Sequence, residues 1–479
     1  MTGMRRGWFH LASGAGFGRI CGFAGNLLIS RWLGPSDLGL FNLITSTIQT
    51  SETLVRCGGD YALNYELGSN PDAIKTQHGL DLARAFTQIC TLATFLVCSI
   101  VFLWVVLGRG LFPYEFGINL RIRLTLLLLL MIACEGLSAS AWEVLLVSHR
   151  TRSFALRQGL FQPLRLLLAA LGVFAFGIAG AMLGWAFAAL AQCIWLKKAL
   201  KHLWNPIAFY PSTLNKVLSL LKRGFPFYLS NLASSLVFFP LLVKVSLNDG
   251  LVDIGYLRVG QVIQQLFAFV PSTLVPILFL ELRTKTDFDQ KVKLLEKPLR
   301  IIWIVMLQSF LLYTLLDSKL IDIFFGAQYQ SALTLTRLLV MCSLLESLSQ
   351  LVVQPHLANG HTRLYGLLQN GAAVAAAFVG WLWIPYAGIL AFIGVKLIYV
   401  AIPLLGFLIP LYNNFQLPRK LIPLFAITVF WIAIYGYLLQ ANIQMINMSP
   451  LILASMSIIV LTNRSDIKAM VEILKPRKL

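Results

Sequence analysis

The chain has 479 residues, of which 58% are hydrophobic and only 12% charged, with a formal net charge of +19 and a mean hydropathy of +0.76. A water-soluble protein of this size carries about a quarter charged residues, so a soluble globular domain is excluded and a polytopic membrane protein is indicated. The basic residues fall in short clusters between apolar runs, a distribution that reports membrane orientation and gives no support to nucleic-acid binding.

In chain order, the start MTGMRRGWFH has a basic lead and no small-residue cleavage site, so the first helix is expected to stay as an anchor. Apolar stretches predict about fourteen spans of the ~20 residues that a bilayer requires. They lie near 8–33, 38–60, 82–107, 122–147, 155–175, 179–200, 218–245, 251–281, 300–324, 333–357, 364–384, 388–411, 421–440 and 449–463. With the N-terminus in the cytoplasm, most Lys and Arg fall on inside segments: HRTR (149–152), Lys197–Lys198 through Lys222–Arg223, the stretch 283–300, and the tail ending KPRKL. An even number of spans places both termini inside, and the outer loops are short, the longest near 108–121. Seven scattered cysteines form no CxxC pair, so neither a disulfide framework nor a zinc site is expected.

The two halves repeat. EGLS at 135–138 and ESLS at 346–349 are 211 residues apart, and the same shift pairs Thr151–Arg152 with Thr362–Arg363, Leu156 with Leu367, Gln158 with Gln369, and Gly177–Ile178 with Gly388–Ile389. A looser match sets LLISRWLGPSDLGLF against LLVKVSLNDGLVDIGYL. One constant shift through two helices and a loop predicts duplicated lobes of six spans each, 1–205 and 206–412, with parallel topology around a central cavity. Residues 413–479 would add two further spans and a basic tail.

Polar residues follow helical spacing. In the second span Asn42, Ser46, Gln49, Thr53, Arg56 and Asp60 recur every three or four residues and share one narrow face. Arg19, Gly22, Asn26 and Ser30 do so in the first span, and Arg258, Gln261 and Gln265 in the eighth. Such stripes serve as interhelical hydrogen-bonding contacts in many membrane proteins. Arginines on three helices favour a shared aqueous cavity, because intramembrane charge marks a pathway. Arg56 near the inner end, Arg19 near mid-membrane, Arg258 towards the outer end, and Arg31 and Lys244 at the outer edge set cations at successive depths, which suits an anionic group in transit. Glu135 and Glu346 are repeat-matched carboxylates that are expected to serve, with Asp60, as counter-ions or as an ion-coupling site. Arg337 and Lys396 are expected to snorkel.

Glycines 14, 16 and 18 imitate a dinucleotide fingerprint, but no strand precedes them, so close helix packing is expected there. Pro226, Pro240, Pro271 and Pro276 are candidate kinks. No Walker motif, Ser/His/Asp set or metal-ligand spacing appears, so no catalytic residue, cofactor or metal is expected.

The first-helix arginine, the turn RWLGPSDLGLF, the segment VRCGGDYALNYEL, and the stretches DIGYLRVGQVIQQLFAFVPSTLVPILF, FFGAQYQSALTLTRLL and LANGHTRLYGLLQN resemble the polysaccharide flippase family. This is the O-antigen flippase (Wzx-type) and MurJ-like branch of the multidrug/oligosaccharidyl-lipid/polysaccharide exporters, and the resemblance covers most of residues 10–412. It implies two six-helix bundles in a V shape that carry an undecaprenyl-diphosphate-linked sugar outward. Cavity arginines at positions matching Arg19 and Arg56, with Arg258 close to a third cation, would hold the diphosphate.

The expected protein is therefore an all-α flippase of a bacterial inner membrane, working by alternating access on a lipid-linked oligosaccharide such as an O-antigen unit. The expected partners are the glycan lipid, the bilayer, and polymerase or chain-length machinery, with no nucleic acid. A multidrug/cation antiporter of the same superfamily is the first rival, and a membrane-embedded glycosyl polymerase or ligase is a rival of another class.

Overall fold

A computed structural model describes residues 2–67, 73–106, 118–148, 150–200, 204–206, 214–415, 455–457 and 459. The loop near 108–121 in large part, expected to lie outside, the two spans expected beyond residue 420 and the basic tail fall beyond these described residues. Within them the chain is helical, with no strand. In order the helices are α1 (Thr2–Trp32), α2 (Pro35–Arg56), α3 (Gly59–Leu67), α4 (Gln77–Val106), α5 (Ile118–Val147), α6 (Thr151–Leu156), α7 (Gln162–Leu200), α8 (Leu214–Asn248), α9 (Leu251–Phe267), α10 (Phe269–Arg283), α11 (Phe288–Phe324), α12 (Leu333–Val352), α13 (Gln354–Ala358) and α14 (Thr362–Phe415). A π-helical turn, Arg157–Phe161, joins α6 to α7.

Six helical stretches among the described residues are long and apolar enough to cross a membrane. Two of them, Ser153–Leu200 and Arg363–Ile409, run 48 and 47 residues, about twice the length of one crossing. Each is a helical hairpin. Gly177 (φ 59°, ψ −140°) and Gly388 (φ 50°, ψ −128°) adopt backbone angles open only to glycine, and the chain reverses there. A Cβ placed on Gly172 would lie 2.0 Å from the carbonyl oxygen of Gly180, and one on Gly184 would lie 2.0 Å from that of Leu168. In the second hairpin Gly406 faces Leu368 and Gly394 faces Trp383. The two reversals are 211 residues apart, as are the starts of α6 at Thr151 and α14 at Thr362. The repeat read in the sequence is thus repeated in backbone geometry.

The helices gather into two compact units, residues 1–258 and 259–479. In the first, α5 packs on α2, α4, α6 and α7, while α1 lies along α6, the π-turn and α7. Small residues allow the α1 approach: a Cβ on Gly25 would come within 2.6 Å of the Leu166 side chain, and one on Gly14 within 3.0 Å of the Ala155 carbonyl. The glycine-rich start of α1 is therefore a packing surface. Trp142 is 1% exposed and stacks on Trp195 at 5.8 Å beside Phe154 and Phe161, a packing role. α8 lies on α2, α3 and α4 and remains one helix through Pro226 and Pro240. The proline-rich eighth span is interrupted instead at Ala268, between α9 and α10. In the second unit α12 packs on α10, α11, α13 and α14.

Candidate functional site: a polar cavity beside Arg56

α2 begins with Pro35 in its first turn, where proline's missing N–H costs nothing, and ends at Cys57 (φ 47°) and Gly58 (φ 72°). The break is held by α8. A Cβ on Gly224 would lie 2.1 Å from the Gly58 carbonyl oxygen, and Tyr228 donates its hydroxyl to the Leu54 carbonyl at 3.1 Å. At the other end of α2 a Cβ on Gly39 would sit 1.8 Å from the Leu251 carbonyl, and one on Gly255 1.9 Å from that of Pro35. α2 is thus clasped through glycine contacts at both ends, by α8 at one and α9 at the other.

Between α2, α3 and α8 lies a cavity of about 420 Å³, within the size range of small-molecule sites. α2 contributes Gln49, Glu52, Thr53 and Arg56; α3 contributes Asp60 and Tyr61; α8 contributes Tyr228, Ser234 and Ser235. The C-terminal half of the α2 stripe therefore does line a polar chamber. Its N-terminal half does not. Asn42 is 1% exposed with neither side-chain polar atom bonded, Ser46 is half-buried, and neither reaches this cavity. The reason is the Gly39 contact, which presses that end of α2 against α9.

Arg56 is heavily committed. Its guanidinium meets Glu52 at 2.6 Å, Glu143 at 3.0 Å and Asp60 at 3.5 Å. Glu52 Oε1 also accepts from Arg157 at 2.6 Å, and Glu143 accepts from Asn64 at 3.1 Å. Arg157 opens the π-turn, the kind of local helix defect that aims a side chain into a site. Three carboxylates thus face two guanidinium groups here. Counted as formal charges, the cluster is anionic by one.

The other expected residues are placed separately. Arg258 is 8% exposed and donates to Asn26 Oδ1 at 2.9 Å; Asn26 in turn donates to the Gly22 carbonyl, and Ser30 to that of Asn26. No carboxylate partners Arg258 among the described residues, and its Nε is unbonded. Arg19 and Arg31 are exposed on α1, with Arg31 in the last turn where the helix dipole favours a cation. Lys244 is half-buried on α8. Glu135, 3% exposed, pairs with Arg165 at 2.8 Å, and Gln192 bridges Glu135, Arg165 and Ser138. Asp60 and Glu135 are therefore bound to arginines, as counter-ions require.

In the second unit Gln261 is half-buried and Gln265 exposed, while their neighbour Gln264 makes the polar contacts, donating to Glu346 at 3.4 Å and accepting from Lys396 at 2.9 Å. Lys396 thus turns inward instead of snorkelling. Arg337 does likewise: it forks onto buried Asp317.

Sequence reasoning missed Glu52, Glu143, Arg157 and the α8 residues. Glu52 had a signal, four residues before Arg56. Glu143 had a weaker one, as a second carboxylate eight residues beyond Glu135 in the same apolar span. Tyr228, Ser234 and Ser235 had none, because only tertiary packing brings α8 to α2.

A helical membrane fold with a repeated hairpin around buried charge, with no sheet and no metal cluster among the described residues, is a plan on which many transporters are built. Structural comparison agrees. A lipid II flippase, MurJ, in its inward closed conformation superposes with a TM-score of 0.68 at 16% identity, covering 95% of this chain and 99% of the other. A multidrug resistance MATE family transporter of the MOP superfamily matches in its outward-facing conformation (TM-score 0.58, 16% identity, 84% and 93% covered). One in the inward-facing conformation matches similarly (TM-score 0.60, 13% identity, 82% and 92% covered). At these identities the likeness is one of fold. No curated protein matches the sequence significantly. The family described as polysaccharide biosynthesis protein matches residues 4–280. The chain belongs to that family.

Proposed function

We propose that the protein is a flippase carrying a polyprenyl-diphosphate-linked oligosaccharide, such as an O-antigen or other polysaccharide repeat unit, from the cytoplasmic to the outer leaflet. The observation that carries this reading is the polar cavity between α2, α3 and α8, lined by hydroxyl, amide and carboxylate groups, inside a membrane fold of the kind seen in a lipid II flippase. A glycan needs such donors and acceptors to replace its water; a polyprenyl tail needs none and would stay in lipid.

The diphosphate would be held by cations outside the Arg56 cluster: Arg258, whose buried charge has no carboxylate partner among the described residues, together with Arg19, and Arg31 and Lys244 farther out. Arg56, already facing three carboxylates, would act on the sugar side. The repeat halves 1–205 and 206–412 would rock about the glycine contacts of α2, with residues 413–479 as an appendix. Moving two negative charges outward across an inside-negative bacterial inner membrane gains about 2.3 kcal/mol per charge per 100 mV. The polysaccharide polymerase and chain-length machinery would take the product, and no chemical step on the substrate is required of the protein itself.

A second reading, a multidrug/cation antiporter, is favoured by one observation: Glu52, Asp60 and Glu143 around Arg56 make a cluster suited to a cation. Reconstitution separates the two. Proteoliposomes given a fluorescent polyprenyl-diphosphate sugar should expose it to the outer medium, while an organic cation should not be driven out by a proton or sodium gradient. Cation efflux without lipid translocation would reverse the assignment. Glycosyl transfer by the purified protein would support the polymerase or ligase alternative.

A further inference from the structure

We infer that the cavity reads the charge of the glycan: it takes sugars that are neutral or bear a free amine and rejects sugars bearing a carboxylate. This rests on the flippase reading and adds the substrate class to it.

The inference follows from how the lining groups are already used. Among the described lining residues Arg56 is the one cation, and it is ion-paired with Glu52, Glu143 and Asp60. An incoming carboxylate finds no uncommitted guanidinium there and meets Glu52 and Asp60 instead. Like charges brought together in a partly desolvated site oppose binding. Glu52 uses only Oε1, for Arg56 and Arg157; its Oε2 has no protein partner among the described residues. That oxygen, on a cavity-lining carboxylate, is an acceptor suited to a sugar hydroxyl or, more strongly, an ammonium group. Gln49, Thr53, Ser234 and Ser235 supply the neutral donors and acceptors of a hydroxylated ring. Tyr61 is 43% exposed, and Tyr228 is fixed by its bond to Leu54, so the cavity also has aromatic surface for the apolar face of a sugar.

The test uses the full-length protein in nanodiscs and proteoliposomes with three synthetic substrates. They share one polyprenyl diphosphate and one first sugar, and end in an N-acetylhexosamine, a free hexosamine or a hexuronic acid. Binding and translocation are measured for each. The hexosamine and N-acetylhexosamine lipids should bind at least tenfold more tightly than the uronic acid lipid, and Asp60→Asn should narrow that gap. Tyr61→Ala, a change at an exposed residue, should weaken all three without altering their order. Equal or tighter binding of the uronic acid lipid overturns the inference, as does an unchanged gap in a folded Asp60→Asn protein. Discriminating binding with no translocation of any of the three would leave the charge reading standing and overturn the flippase assignment. Translocation of all three at equal affinity would do the opposite.

Discussion

Glu135 and Arg165 show how a charge is kept in an apolar helix bundle. Both are mostly buried, they meet at 2.8 Å, and Gln192 completes the hydrogen bonding. Removing one partner strands the other, which costs about 3–5 kcal/mol for a buried pair. Glu135→Ala should therefore lower the melting temperature in detergent clearly more than Glu135→Gln, which keeps an acceptor for the guanidinium. Equal, small shifts would mean that the pair is solvated. The same residue-level logic explains what the sequence disclosed and what it hid. The α2 stripe predicted Gln49, Thr53, Arg56 and Asp60 on one face, and all four line the cavity. Arg56's partner Glu143 comes from α5 and is itself held by Asn64 of α3, and Arg157 shares Glu52 from beyond α6. Helical periodicity carries no information about contacts between elements, so an arginine expected to await a phosphate proved to be held by carboxylates.

Elements were legible where a residue type has a single structural use. Glycine at a φ near +55° with extended negative ψ is such a case, and Gly177 and Gly388 mark the two hairpin reversals at the repeat shift. A side chain there strains the turn by about 1–3 kcal/mol. Gly177→Ala and Gly388→Ala should each lower thermal stability, whereas Gly371→Ala, in open space on α14, should not; similar melting for all three would contradict the assigned backbone. The contact between α2 and α8 was not legible, because Gly58 and Gly224 are small residues in segments with many others. It makes a prediction of its own. Gly224→Ala should lower the melting temperature, since a Cβ there would lie 2.1 Å from the Gly58 carbonyl oxygen. Unchanged melting in this variant would contradict the packing.

At the scale of the molecule, composition alone required a membrane, and the 211-residue shift read in the sequence recurs in the hairpin reversals at Gly177 and Gly388. The division into compact packing units at residue 258 was hidden, since it arises from α8 and the start of α9 closing on α2. That closure leaves Arg258 buried against Asn26 and sets the carboxylate-rich cavity at the other end of α2. Phosphate and sugar would accordingly be read at different places, cations for one and the Arg56 cluster for the other. Reconstituted protein offered a fluorescent polyprenyl-diphosphate sugar on one leaflet measures this most directly. Translocation by the wild type that falls at least tenfold in Arg258→Ala and in Arg19→Ala is the expected result. Undiminished translocation in both variants, with the proteins folded, would contradict it.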